Sequence, residues 1–156
     1  MNSVLDFMRS SRGIFSAVKF DKKTTQKIVE FQKINNVKFP IQGKDLHTTI
    51  IFSPEKYITD YPVIKHMDIK ANIIGFETWR MNNGKYCLVG LLDCDYLKAR
   101  FEKLSKQYDI ENPYDEYKPH VTFSYDVPRY MNVSNLKNNI GELRIISEYV
   151  KDHQVL

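Results

Sequence analysis

Residues 45–53 read DLHTTIIFS, and residues 119–126 read PHVTFSYD. In an extended chain successive side chains alternate between two faces, so the first stretch sets Leu46, Thr48, Ile50 and Phe52 against His47, Thr49, Ile51 and Ser53. The second sets His120, Thr122 and Ser124 against Val121, Phe123 and Tyr125. Each stretch is therefore expected to be a strand that places a histidine and a threonine side by side, backed by apolar residues on the other face.

Each strand also follows an amphipathic helix. Lys22 to Asn36 offers Ile28, Phe31 and Ile34 to one face and lysines elsewhere, ending before Pro40. Tyr96 to Tyr108 repeats Leu97, Phe101, Leu104 and Tyr108 at helical intervals. Working outward, Gly13 to Phe20 (GIFSAVKF) suits a first strand and Glu142 to Val150 (ELRIISEYV) a last one. Between the two helix-then-strand units, Ile69 to Met81 and Lys85 to Asp93 are β-rich runs joined by Asn82, Asn83 and Gly84, residues that accept positive φ. The order strand, helix, strand, hairpin, helix, strand, strand predicts an α+β fold. It comprises two pseudo-symmetric lobes of antiparallel strands with covering helices.

Composition fits one domain over residues 1–156. Of its residues 42% are apolar, enough for a core without metal or disulfide staples. No apolar run is long enough to span a bilayer, and MNSVLDFMRSSRG lacks the apolar region of a secretory signal, so no membrane contact and a cytoplasmic location are expected. Cys87 and Cys94 have no metal-ligand spacing and read as free thiols. The 23 Lys and Arg against 19 Asp and Glu give a net charge of +4 with no long block of one sign. That is a mild bias toward anionic ligands; neither double-stranded nucleic acid nor a stable protein partner is expected.

Histidine titrates nearest neutrality, so a facing pair supplies a general base and a general acid to one reaction. His47 and His120 have the matched strand context; His66 and His153 do not. Read singly, each is better explained as an inward or edge histidine satisfied by a backbone carbonyl, with threonine present for its β propensity. Together the two polar triplets argue for a shared groove on the exposed sheet face. Neither HExxH, an EF-hand pattern nor a Walker-type phosphate loop is present, so no metal and no cofactor are expected.

Leu46-His47-Thr48-Thr49-Ile50 and Pro119-His120-Val121-Thr122-Phe123 resemble the paired motifs of the 2H phosphoesterase superfamily. The resemblance implies metal-independent phosphodiester chemistry, with His47 and His120 as acid and base and Thr49 and Thr122 on the non-bridging phosphate oxygens. More narrowly, the opening MNSVLDFM and GIFSAVKF segments, both triplets, Trp79 and ISEYV resemble the phage anti-CBASS family over nearly the full length. Such proteins destroy the cyclic oligonucleotide signals of bacterial immunity, which here implies a hydrolase of 3′,5′ bonds in cyclic di- or trinucleotides acting in a host cytoplasm. The arginine-bearing extensions of the bacterial RNA ligase-like branch are absent.

A nucleotide substrate needs base-binding groups, and stacking on an aromatic face is worth about 1–3 kcal/mol per base. Trp79, near the hairpin tip, is one candidate; an ordinary core anchor or cross-strand partner is its alternative. Family similarity implies a base contact for Phe15, against core packing in the first strand. Tyr114 and Tyr117, in NPYDEYKPH before His120, line the cleft entrance or pack within their loop. Glu148, a carboxylate in an apolar strand, either accepts from the donor edge of a base, as the resemblance implies, or pairs with a surface lysine. Lys19, Lys22, Lys23 and Lys27 form a basic approach or simply a solvated helix face. Two other functions share these residues: an RNA-end enzyme opening 2′,3′-cyclic phosphates, and a module that sequesters a nucleotide without turning it over.

Overall fold

The structure, a computed structural model, describes residues 12–56, 58–111 and 116–154. Strand β1 (Arg12–Phe20) leads into helix α1 (Lys22–Ile34). The Asp21 carboxylate caps this helix by accepting the Thr24 amide at 2.7 Å. Thr24, Ile28 and Phe31 repeat at four and three and form the buried stripe. Ile34, expected on that stripe, falls about a quarter of a turn from its centre and is exposed. The helix closes at Asn35, whose amide nitrogens reach back to the Phe31 carbonyl, and Asn36 turns the chain at φ 51°.

A 3₁₀ turn (Gly43–Asp45) precedes β2 (Thr48–Ser53), so His47 lies just before the strand. Strands β3 (Ile69–Arg80) and β4 (Tyr86–Asp93) form the expected hairpin, with Gly84 at φ 85°. Helix α2 (Asp95–Gln107), β5 (His120–Val127), a second 3₁₀ turn (Val133–Asn135) and β6 (Glu142–Gln154) complete the order.

One six-stranded antiparallel sheet has the order β2-β1-β6-β3-β4-β5. Its two halves are joined where Ile69–Asn72 of β3 pairs with Ile145–Glu142 of β6. Beyond that root, β6 continues along β1 and β3 continues along β4, so the sheet forks into two three-stranded arms.

The helices cross over. α1 follows the first strand yet packs on the β3-β4-β5 arm, where Phe31 meets Phe76 at 5.2 Å and Phe123 at 4.7 Å between ring centroids. α2 follows β4 yet packs on the other arm, where Arg100 meets Glu148 of β6. Each helix thus covers the arm it does not follow, and one continuous apolar core runs beneath both. Cys87 and Cys94 are buried free thiols, as expected. Among the described residues no helix is long and apolar enough to cross a membrane.

Candidate active site

The two arms turn their uncovered faces toward one cleft, and the edge strands β2 and β5 meet across it. The loop after α1 runs along β5: the Ile41 amide donates to the Phe123 carbonyl at 2.9 Å, and Pro40 bridges to Ser124. The segment that carries His47 is therefore fastened to the strand that carries His120. A second tie is Tyr117, whose hydroxyl donates to the Thr49 carbonyl at 2.8 Å while its ring stacks on Phe101 at 4.3 Å. Tyr117 is a packed bolt between the arms.

The histidines are held in the same way. His47 Nδ1 lies 2.9 Å from the Asp45 carbonyl, and His120 Nδ1 lies 2.8 Å from the Lys118 carbonyl, in both cases two residues back. A carbonyl only accepts, so each Nδ1 carries a proton and donates it. Each Nε2 is left to exchange protons with a ligand. Thr49 and Thr122, two residues on, are half-buried on the same faces. Burial pulls the His120 imidazole below the ordinary histidine range; the nearby His47 adds to this, and the Lys118 carbonyl opposes it.

Aromatic residues wall both sides. Phe15 sits edge-on to His47 at 5.5 Å and packs against Tyr149 at 6.1 Å. Core packing, the alternative for Phe15, is not its position: it stands half-buried on the His47 face. Trp79 meets His120 at 4.6 Å, and its indole N–H donates to Glu77 Oε1 at 2.7 Å, which fixes the ring against the imidazole. Lys19 and Lys151 lie over the Tyr149 ring at 5.1 and 5.7 Å. Lys19 and Lys22 also line a groove of about 350 Å³ with Lys44, beside the turn that leads to His47.

The structure thus gathers His47, Thr49, His120, Thr122, Phe15 and Trp79 around one cleft. It does not bring Glu148 there. Glu148 lies on the helix-covered face, one residue from Tyr149 and on the opposite side of β6, and its side chain is fully buried. Both its oxygens accept from Arg100, at 3.1 and 3.0 Å, rather than from a surface lysine. A base contact by Glu148 would require that pair to open. Tyr114 lies outside the described residues. Sequence reading missed Tyr149 and Glu77; the strand alternation Glu77-x-Trp79 was the available signal for the latter.

Strict alternation also fails in both histidine strands, once where β2 pairs with β1 and twice where β5 pairs with β4, the second β5 irregularity falling between Ser124 and Val127. In β2, Ser16 pairs with Ile51 and Ala17 with Thr49, so Ile50 is an extra residue. In β5, Leu88 pairs with Ser124 and Val89 with Thr122, so Phe123 is extra. Each bulge reverses the faces beyond it: Ile51 and Ser124 are buried, whereas Phe52 and Tyr125 are exposed. The expected grouping of Ser124 with His120, and of Phe52 away from His47, is corrected accordingly. Among the described residues, no group of three or more His, Cys, Asp or Glu gathers as a ligand set for a metal ion.

Comparison with known proteins agrees with this geometry. The family described as anti-CBASS protein Acb1 matches residues 12–155. The anti-CBASS protein Acb1 of Escherichia phage RB16 is 33% identical over 142 residues, covering 87% of this chain and 78% of that protein. Its counterpart in Acinetobacter phage Ac42 is 36% identical over 121 residues, covering 74% and 75%. In three dimensions the chain superposes on apo E. coli LigT with a TM-score of 0.62 at 13% identity, covering 94% of this chain and 89% of LigT. The fold is that of the 2H phosphoesterases, and the chain belongs to the phage anti-CBASS protein Acb1 family.

Proposed function

We propose that His47 and His120 carry out metal-independent cleavage of the 3′,5′ bonds in cyclic di- or trinucleotides, in the cytoplasm of an infected host. As a member of its family the chain is a phosphodiesterase that degrades cyclic nucleotides to counter CBASS defence. The observation that supports this route is the matched tethering of the two imidazoles, each with Nδ1–H on a backbone carbonyl and Nε2 available.

In the first step neutral His120, favoured by its burial, takes the proton of a ribose 2′-OH through Nε2. The 2′ oxygen attacks the adjacent phosphorus, and His47 donates its Nε2 proton to the departing 5′ oxygen, leaving a linear product with a 2′,3′-cyclic phosphate. In the second step the roles exchange: His47 takes a proton from water, and His120 returns its proton to the ring-opening oxygen. Thr49 and Thr122 donate hydroxyls to the non-bridging oxygens, where fixed donors stabilise developing charge without reorganisation.

The test is product analysis by mass after incubation with 3′,3′-cyclic GMP–AMP in EDTA. Linear product is expected from the native chain. Its loss by at least about 100-fold is expected in His47→Ala and in His120→Ala, both still folded. An active His120→Ala variant, or dependence on added metal, would sink the mechanism. Reaction confined to a linear RNA bearing a 2′,3′-cyclic phosphate would instead move the chain to RNA-end processing.

A further inference from the structure

The bulges at Ile50 and Phe123 occupy the same place in both halves, three residues after each histidine. From His47 the burial sequence is half-buried, buried, half-buried, buried, buried, exposed, ending on Phe52; from His120 it is the same, ending on Tyr125. An unbroken strand would place the residue five after each histidine on the opposite, helix-covered face. The bulge cancels that and returns an aromatic ring to the histidine face in both arms.

The placement of each ring follows from its neighbours. Phe52 is the cross-strand partner of Phe15, whose ring packs on His47. Directly opposed residues of an antiparallel pair share a face. Tyr125 lies near Cys87, Asp45 and Tyr149. Cys87 is the cross-strand partner of Trp79, whose ring packs on His120. Phe52 and Tyr125 remain 45% and 48% exposed, although their strand neighbours Ile51 and Ser124 are buried. A large aromatic that is held on a functional face by a repeated backbone irregularity and is still about half exposed presents π surface to a ligand there.

We propose that Phe52 and Tyr125 are a pseudo-symmetric pair of stacking platforms, each taking one nucleobase of a ligand that carries at least two bases around the scissile phosphate. The inference rests on the cyclic-oligonucleotide reading above and deepens it. Two platforms related by the same pseudo-symmetry as the histidines match a ligand whose two nucleotides flank the phosphate held between those histidines. Together they give the site its preference for cyclic oligonucleotides over mononucleotide cyclic phosphates.

The test is calorimetric binding of a hydrolysis-resistant phosphorothioate analogue of 3′,3′-cyclic GMP–AMP to the full chain, alongside turnover of 3′,3′-cyclic GMP–AMP and of adenosine 2′,3′-cyclic monophosphate. Phe52→Ala and Tyr125→Ala are each expected to raise Kd and KM for the two-base ligand by about tenfold, within the range set by stacking on one base. Phe52→Tyr and Tyr125→Phe keep the π face and are expected to stay within about twofold of the native value. The mononucleotide, which fills one platform at a time, responds to one of the alanine substitutions at most. Unchanged Kd in both alanine variants overturns the proposal, as does full rescue by Phe52→Leu, which restores bulk without a π face. A native chain that fails to bind the analogue also overturns it. If the native chain binds the analogue but turns over neither substrate, the catalytic reading falls, and the Kd values of the variants still decide the platforms.

Discussion

Removing the guanidinium of Arg100 should be costly to stability although it lies away from the cleft. Arg100 and Glu148 have side-chain exposures of 7% and 0%. The guanidinium makes two bonds to the carboxylate, at 3.1 and 3.0 Å, and a third at 2.6 Å to the Pro62 carbonyl. It thereby joins α2, β6 and the loop before β3, and it lies 5.7 Å from the Tyr61 ring. Arg100→Met keeps much of the stem but leaves a carboxylate buried without its partner, a change that costs about 3–5 kcal/mol. At about 2–4 °C per kcal/mol for a chain of this size, the thermal midpoint should fall by roughly 6–20 °C. The double variant Arg100→Met/Glu148→Met removes both charges, and replacing a buried pair by apolar residues is often neutral. Its midpoint should recover most of the loss. The assay is a double-mutant cycle by calorimetry and urea denaturation. A loss below about 1 kcal/mol in Arg100→Met, or a double variant no better than that single variant, would refute the assignment of the pair as a buried, mutually dependent ion pair.

Three further outcomes follow from the packing and the titration. Gly90→Ala places a Cβ 3.0 Å from Phe123 Cε2 and Cζ, and Phe123 is wedged against Phe31 and Phe76, so it should destabilise by about 1–3 kcal/mol in urea denaturation. Tyr117→Phe keeps the stack on Phe101 but loses the bond to the Thr49 carbonyl; we expect about 1 kcal/mol of stability lost and turnover reduced by about tenfold as β2 loosens against β5. Because burial lowers the His120 pKa, its neutral form persists below the ordinary histidine value, and the acid limb of kcat/KM should have its midpoint below about pH 6.5. By linkage the unfolded chain binds the His120 proton more readily, so the same group contributes stability above about pH 6.5 that is lost as pH falls through the lower folded value. A native acid limb centred above pH 7 would contradict both statements.

What could be read from the sequence was short-range. The helix stripe through Ile28 and Phe31, the Asn82-Asn83-Gly84 turn and the two His-x-Thr triplets each lie within a dozen residues, and a helix, a hairpin and two strands form there, although Ile34 leaves the stripe and His47 falls just before its strand. What could not be read depends on partners distant along the chain. The bulges at Ile50 and Phe123 exist only relative to β1 and β4, so Phe52 and Tyr125 change face with no local signal. Glu148 finds Arg100 because α2 crosses to the arm it does not follow, and strand alternation carries no information about which helix covers which arm. Buried polar pairing of that kind is settled by tertiary packing, where an unpaired charge is too costly to leave.

The duplication also bears on how one cleft would serve both steps of the proposed chemistry. Transesterification leaves the first base protonated and the first acid deprotonated, and hydrolysis of the cyclic phosphate requires those two states as its starting point. A site with one strong acid and one fixed base would have to reset between steps. Here each imidazole has the same tether, a backbone carbonyl two residues back, and the same threonine two residues ahead, so either Nε2 is built to give or take a proton. The halves differ in what surrounds that frame: Phe15 and Tyr149 beside His47, Trp79 held by Glu77 beside His120. On this reading the shared frame sets the reaction, while the unlike walls favour one direction for the first proton transfer. Trp79→Ala should therefore open His120 to water and raise its pKa toward the ordinary value, moving the acid limb of the pH profile upward. The corresponding change at Phe15 should leave that limb in place. If both substitutions moved the limb equally, the walls would not be what distinguishes the two histidines.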